Sequence, residues 1–112
     1  MQPTPTEIKL RRQSRLLAVS FDDGARFDLP YEFLRVHSPS AEVKGHGPGQ
    51  ETLVLGKQDV GLRAIEPVGQ YAVRLIFDDG HDSGLYSWKY LYELGRDRDT
   101  LWQRYLERVA AK

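Results

Sequence analysis

Leu17-Ala18-Val19-Ser20-Phe21-Asp22-Asp23-Gly24-Ala25-Arg26-Phe27-Asp28-Leu29 decides the fold. Leu17, Val19 and Phe21 alternate with Ala18 and Ser20, the period of a half-buried strand. Ala25, Phe27 and Leu29 repeat that period on the return. The Asp-Gly pair between the two runs predicts a type I′ hairpin turn, because glycine takes positive φ at no steric cost. Pro30 follows at the expected first helical position, opening a short helix through Tyr31, Phe33 and Leu34.

The same pattern returns further along the chain. Tyr71, Val73, Leu75 and Phe77 alternate, Asp78-Asp79-Gly80 supplies a second turn, and a short strand is expected near Ser83–Tyr86. Tyr31-x-Phe33-Leu34 is echoed by Trp88-x-Tyr90-Leu91, after one extra residue. A strand–turn–strand–helix unit therefore occurs twice. Upstream, Ile8 and Leu10 predict a first strand, and Val60–Val68 predicts another. The economical architecture is α+β: an antiparallel sheet with two hairpin–helix arms and helices on one face. A helix over Ser87–Leu94 is expected to stop at Gly95. A capping box, Thr100-x-x-Gln103, is expected to open a last helix that buries Leu101, Tyr105 and Val109, with Trp102 and Leu106 alongside.

Residues 1–6, with two prolines, read as a disordered lead-in, and residues 7–112 as one domain. Residues 37–58 hold Pro39, Gly45, Gly47, Pro48, Gly49 and Gly56, with Leu53–Leu55 alone resembling a strand; so long a loop points to function or disorder.

Lys plus Arg is 16 and Asp plus Glu is 16, so the chain lacks the basic excess of nucleic-acid and membrane-surface binders. The local group Lys9, Arg11, Arg12 and Arg15 reads as a solvated strand face. No apolar run is long enough for a membrane span, and no secretory leader is visible. The chain has no cysteine, which excludes disulfides, thiolate metal sites and a cysteine nucleophile and suits a reducing cytoplasm.

The candidate chemical residues are few. In a two-residue hairpin, Asp78 is expected to oppose His81 and favour its protonated ring. The stretch Glu42-Val43-Lys44-Gly45-His46-Gly47-Pro48-Gly49 lacks the Lys-Ser/Thr and helix start of a phosphate loop. Ser38 and Ser83 sit in no nucleophile elbow, so a hydrolase triad is not expected. The paired aspartates read as solvated turns.

Longer motifs carry a resemblance. Leu34-Arg35-Val36-His37-Ser38-Pro39-Ser40-Ala41-Glu42-Val43-x-Gly45-His46-Gly47, Ile65-Glu66-Pro67-Val68-Gly69 and Phe77-Asp78-Asp79-Gly80-His81-Asp82-Ser83-Gly84-Leu85-Tyr86-Ser87-Trp88 together resemble the family named after the N-terminal domain of gamma-butyrobetaine hydroxylase, in its stand-alone bacterial branch. The resemblance covers roughly residues 7–106. In the hydroxylases a separate domain performs the oxygenase chemistry, so the resemblance implies no catalysis here. It also implies a zinc position held by three cysteines and a histidine. Ser38, Ser40 and Val43 stand at the cysteine positions and His81 at the histidine. Similar domains fused to iron–sulfur carrier proteins imply an accessory role in cofactor assembly.

The leading expectation is a non-catalytic interaction module for a protein partner, with Glu42, Lys44, Gly45, His46, Gly47, Asp78, Asp79 and His81 at the contact surface. The alternatives are a zinc- or iron-binding domain using His81 with His46 or His37, and an enzyme with an unrecognised site.

Overall fold

The computed structural model describes residues 3–44 and 52–112, with Lys44 by its backbone alone. Strands β1 (Pro5–Arg11), β2 (Leu16–Phe21) and β3 (Arg26–Pro30) form one antiparallel meander, followed by α1 (Tyr31–Val36) and the single turn α2 (Ala41–Lys44). Strands β4 (Leu62–Val68), β5 (Ala72–Phe77) and β6 (Leu85–Ser87) form a second, followed by α3 (Trp88–Arg96) and α4 (Arg98–Ala110). The α+β class and both hairpin–helix arms match the expectation. The strands divide, however, into two three-stranded sheets rather than one. Short loops pair each strand with its chain neighbour, and arginine side chains bridge the two meanders instead of a ladder. Arg12 donates to Leu62 O at 3.3 Å and Arg63 O at 3.0 Å, and Arg15 donates to Val60 O. These two cations are exposed, as expected, and in addition bond carbonyls of the second arm and its approach.

The two arms repeat each other bond for bond. Phe21 N–H donates to Ala25 O at 2.8 Å, and Phe77 N–H to His81 O at 3.1 Å. The turns are thus three-residue loops, and positive φ is confined to Gly24 (+89°) and Gly80 (+91°). A type I′ turn requires two such residues, whereas a glycine bulge requires one. Each aspartate has a fixed task. Asp22 and Asp78 accept the N–H of Thr4 (3.1 Å) and Gly61 (2.9 Å), tying in the residue before the first strand of their arm. Asp23 and Asp79 accept Ala25 N–H (2.9 Å) and His81 N–H (3.1 Å), closing the turn. Because Thr4 is held and β1 starts at Pro5, the chain takes structure earlier than a lead-in of residues 1–6 implies.

One core lies between the arms. Leu17, Val19, Phe21 and Leu29 of the first sheet meet Val73, Leu75, Phe77 and Tyr86 of the second, with Phe33 and Leu34 of α1 and Leu91 and Leu94 of α3. Ser87 caps α3, its Oγ accepting Tyr90 N–H at 3.0 Å. Gly95 does not end that helix. A Cβ there would stand 2.2 Å from Phe27 Cγ, so glycine serves close approach of helix to strand. Pro30 is the cap of α1, one residue earlier than expected. Thr100 lies inside α4, so its capping box does not form; Asp97 precedes the helix and is clasped by Arg96. Of the apolar residues expected to be buried by α4, Tyr105 is buried, while Leu106 (42%) and Val109 (36%) are exposed. Leu53–Leu55 form no strand. Among the described residues no helix is long and apolar enough to cross a membrane.

Candidate functional site

After α1 the chain turns at His37 and brings Ser38 against the second arm. Ser38 Oγ lies 2.8 Å from His81 Nε2, and His81 Nδ1 lies 3.2 Å from Glu42 Oε2. Ser83 Oγ donates to Glu42 Oε1 at 3.3 Å and meets Ser40 Oγ at 2.8 Å. Backbone N–H groups finish the network: Ser40 donates to Ser38 Oγ, and Glu42 to Ser40 Oγ, as in turns that serine favours. Gly84 makes the approach possible, since a Cβ there would stand 2.5 Å from Ser38 Oγ. Tyr86 seals the inner side, donating to Leu34 O at 2.5 Å. Burial pushes its hydroxyl well above the usual phenol range.

Burial, then the Arg35 charge, lowers the His81 pKa against the opposing pull of Glu42 and Asp79. The ring is therefore neutral at pH 7. Because Glu42 is acceptor-only, Nδ1 carries the proton and Nε2 accepts from the Ser38 hydroxyl. The carboxylate expected opposite His81 was Asp78; the three-residue turn places Phe77 there instead, and Glu42 takes the role. Asp79 faces Lys57 (2.7 Å) and Arg35 (2.8 Å). Burial works to raise its pKa, but Lys57, the His81 N–H and Arg35 outweigh it and hold the carboxyl at about 2.

Ser38, His81 and Glu42 thus have the order of a hydrolase relay, which the sequence did not suggest. Ser38 is 0% exposed, and its hydroxyl ties the turn after α1 to His81 of the second arm. The implied zinc position does not fit these side chains either. Hydroxyls and a valine replace thiolates, and both His81 nitrogens are committed. Among the described residues, no three His, Cys, Asp or Glu side chains gather where an ion would need them. His37 lies against Phe33 and Tyr105, with Nδ1 at 2.9 Å from Phe33 O. Gly45, His46 and Gly47 lie outside the described residues, as does the Lys44 side chain.

Of the expected contact residues, His81 is buried, while Glu42, Asp78 and Asp79 are exposed, the two aspartates also bonded within the chain. Ser83, Arg35, Lys57 and Gly84 were missed. Arg35 was findable from the echo, since it stands where Tyr92 stands in the second arm.

A family model described as gamma-butyrobetaine hydroxylase-like, N-terminal, matches residues 8–92. The chain belongs to this family. Two proteins of similar fold have NMR solution structures. One is 52% identical over 98% of this chain and 86% of that one, with TM-score 0.84. The other is 56% identical over 97% of this chain and 81% of that one, with TM-score 0.84. A crystal structure of a DUF971-family protein of unknown function from Acidithiobacillus ferrooxidans is 38% identical over 82% of this chain and 92% of that one, with TM-score 0.70. No curated protein matches the chain significantly.

Proposed function

We propose that this gamma-butyrobetaine hydroxylase-like domain is a non-catalytic interaction module of the cytoplasm that docks a protein partner on the outer face of its second sheet. The observation that carries this reading is a difference between two equivalent faces. On the first sheet, the outward register rows are Glu7–Ser20–Arg26, Lys9–Ala18–Asp28 and Arg11–Leu16–Pro30, which suit water. On the second, the rows are Ala64–Ile76, Glu66–Arg74–Leu85 and Val68–Ala72–Ser87. Leu85 is 50% exposed, Val68 38%, and Tyr71 in the adjoining loop 75%. The charges on this face are already paired, Arg74 with Glu66 at 2.5 Å and Asp82 at 3.6 Å. A paired charge is cheaper to cover than a lone one. Aromatic and large apolar side chains are the anchors of protein interfaces.

The burial of Ser38 and His81 supports the non-catalytic reading. The partner class that the family resemblance implies is metal-cofactor or iron–sulfur proteins. A photo-crosslinking amino acid at position 85, with a second at position 18 as the control face, tests the docking face in living cells. Position 85 is expected to yield one dominant adduct that Tyr71→Asp removes. The same adducts from both positions would contradict this face.

A further inference from the structure

The arms also repeat a junction between the first loop of the meander and the first aromatic residue of the helix. Tyr31 N–H donates to Arg15 O at 3.1 Å, and Trp88 N–H to Tyr71 O at 2.8 Å. The side chains then differ. Trp88 Nε1–H donates to Gln70 O at 2.7 Å, so the second junction is complete. In the first, the Tyr31 hydroxyl is buried and meets no partner among the described residues. Native proteins rarely keep such a group unless a water, an ion or a ligand completes it.

Beside Tyr31 lies a cavity of about 290 Å³ lined by Arg12, Arg15, Arg63, Gly61 and Asp78. The Arg15 guanidinium covers the Tyr31 ring, 5.9 Å from its centroid. Arg12 spends two N–H groups on Leu62 O and Arg63 O, and Arg15 one on Val60 O. Those bonds fix both guanidiniums and leave further N–H groups of each unused. The Arg63 side chain has no hydrogen bond or ion pair among the described residues, and no carboxylate there pairs with any of the three. The acid at the cavity is Asp78, whose Oδ1 already accepts Gly61 N–H at 2.9 Å. Three cations thus face one carboxylate, in a chain with no net charge.

We propose that this cavity binds the phosphate group of a ligand, with Arg12, Arg15 and Arg63 as its cationic walls and Tyr31 O–H as an added donor. Guanidiniums match phosphate oxygens bidentately, and two of these are held in place before the ligand arrives. The proposal does not depend on the docking face.

The test titrates inorganic phosphate into the full chain at ionic strength held constant with chloride, following the amide signals of Gly61, Leu62 and Arg63. Saturable shifts confined to these residues are expected. Arg63→Gln and Tyr31→Phe should each weaken them at least tenfold, while Lys9→Gln changes nothing. The Arg63 side chain makes no internal bond among the described residues and phenylalanine fills the tyrosine's place, so both variants should keep the wild-type spectrum elsewhere. Shifts that fail to saturate, or that survive both substitutions, would overturn the site and leave water as the partner of Tyr31. With phosphate bound, ribose 5-phosphate and a phosphoserine peptide separate the sources: the tighter of the two assigns a small molecule or a protein as the carrier.

Discussion

Arg35, on the helix of the first arm, donates to Asp79 in the turn of the second at 2.8 Å. The return bond runs from Tyr92, on the helix of the second arm, to Asp23 in the turn of the first at 2.7 Å. Each helix therefore locks the other arm's turn. The two locks differ in strength, because Arg35–Asp79 is half-buried, charged on both sides and joined by Lys57. Asp79→Asn should destabilise the fold by about 1–3 kcal/mol and Asp23→Asn by clearly less. Urea unfolding of the two variants checks the order; equal losses would show that the locks are equivalent.

Asp79 also sets an acid limit. Its folded pKa of about 2 lies below its ordinary 3.8. The unfolded chain thus binds the proton more readily, and the stability from this carboxylate is present above pH 4 and is lost as pH falls toward 2. Unfolding free energy measured between pH 5 and 2 should fall less steeply for Asp79→Asn than for the wild type.

His81 titrates in the opposite sense from a surface histidine beside a carboxylate. Its folded pKa is depressed, so its contribution is complete above pH 6.5 and declines as pH falls below that value. Glu42 favours the charged ring, so Glu42→Gln should lower the His81 pKa further. Ring-proton NMR titration reads both shifts, and a His81 pKa above 6.5 would contradict the buried neutral ring.

Gly95→Ala sets two effects against each other. Alanine raises helix propensity by about 1 kcal/mol, but its Cβ would collide with Phe27, which packs edge-on against Phe21 and Tyr92. Overpacking of a fixed ring costs about 1–3 kcal/mol, so a net loss is expected. Phe27→Leu in the same chain should recover part of it; thermal melts of the single and double variants decide.

The sequence carried the fold at the level where side chains alternate. The Phe-Asp-Asp-Gly echo predicted both arms, because turn chemistry is local and each aspartate accepts a backbone N–H of its own arm. The division into two sheets was not legible, since it depends on Arg12 and Arg15 reaching carbonyls distant in the chain. Gly95 was misread as a stop because its reason, Phe27, lies on another strand. At the site, His81 and Glu42 were singled out, but their pairing was not. Period-2 reasoning assumed a two-residue turn, and the glycine bulge moved His81 by one register. The relay with Ser38 needs two segments brought together in space, which no local pattern reports.

The docking face is the central claim, and an amide-shift footprint tests it most directly. The isotope-labelled chain would be mixed with the partner recovered from position 85. The account predicts shifts and broadening at Val68, Tyr71, Ala72 and Leu85, abolished by Leu85→Glu, with Lys9, Ala18 and Arg26 unmoved. A footprint on the first sheet or along α4, unchanged by Leu85→Glu, would contradict it.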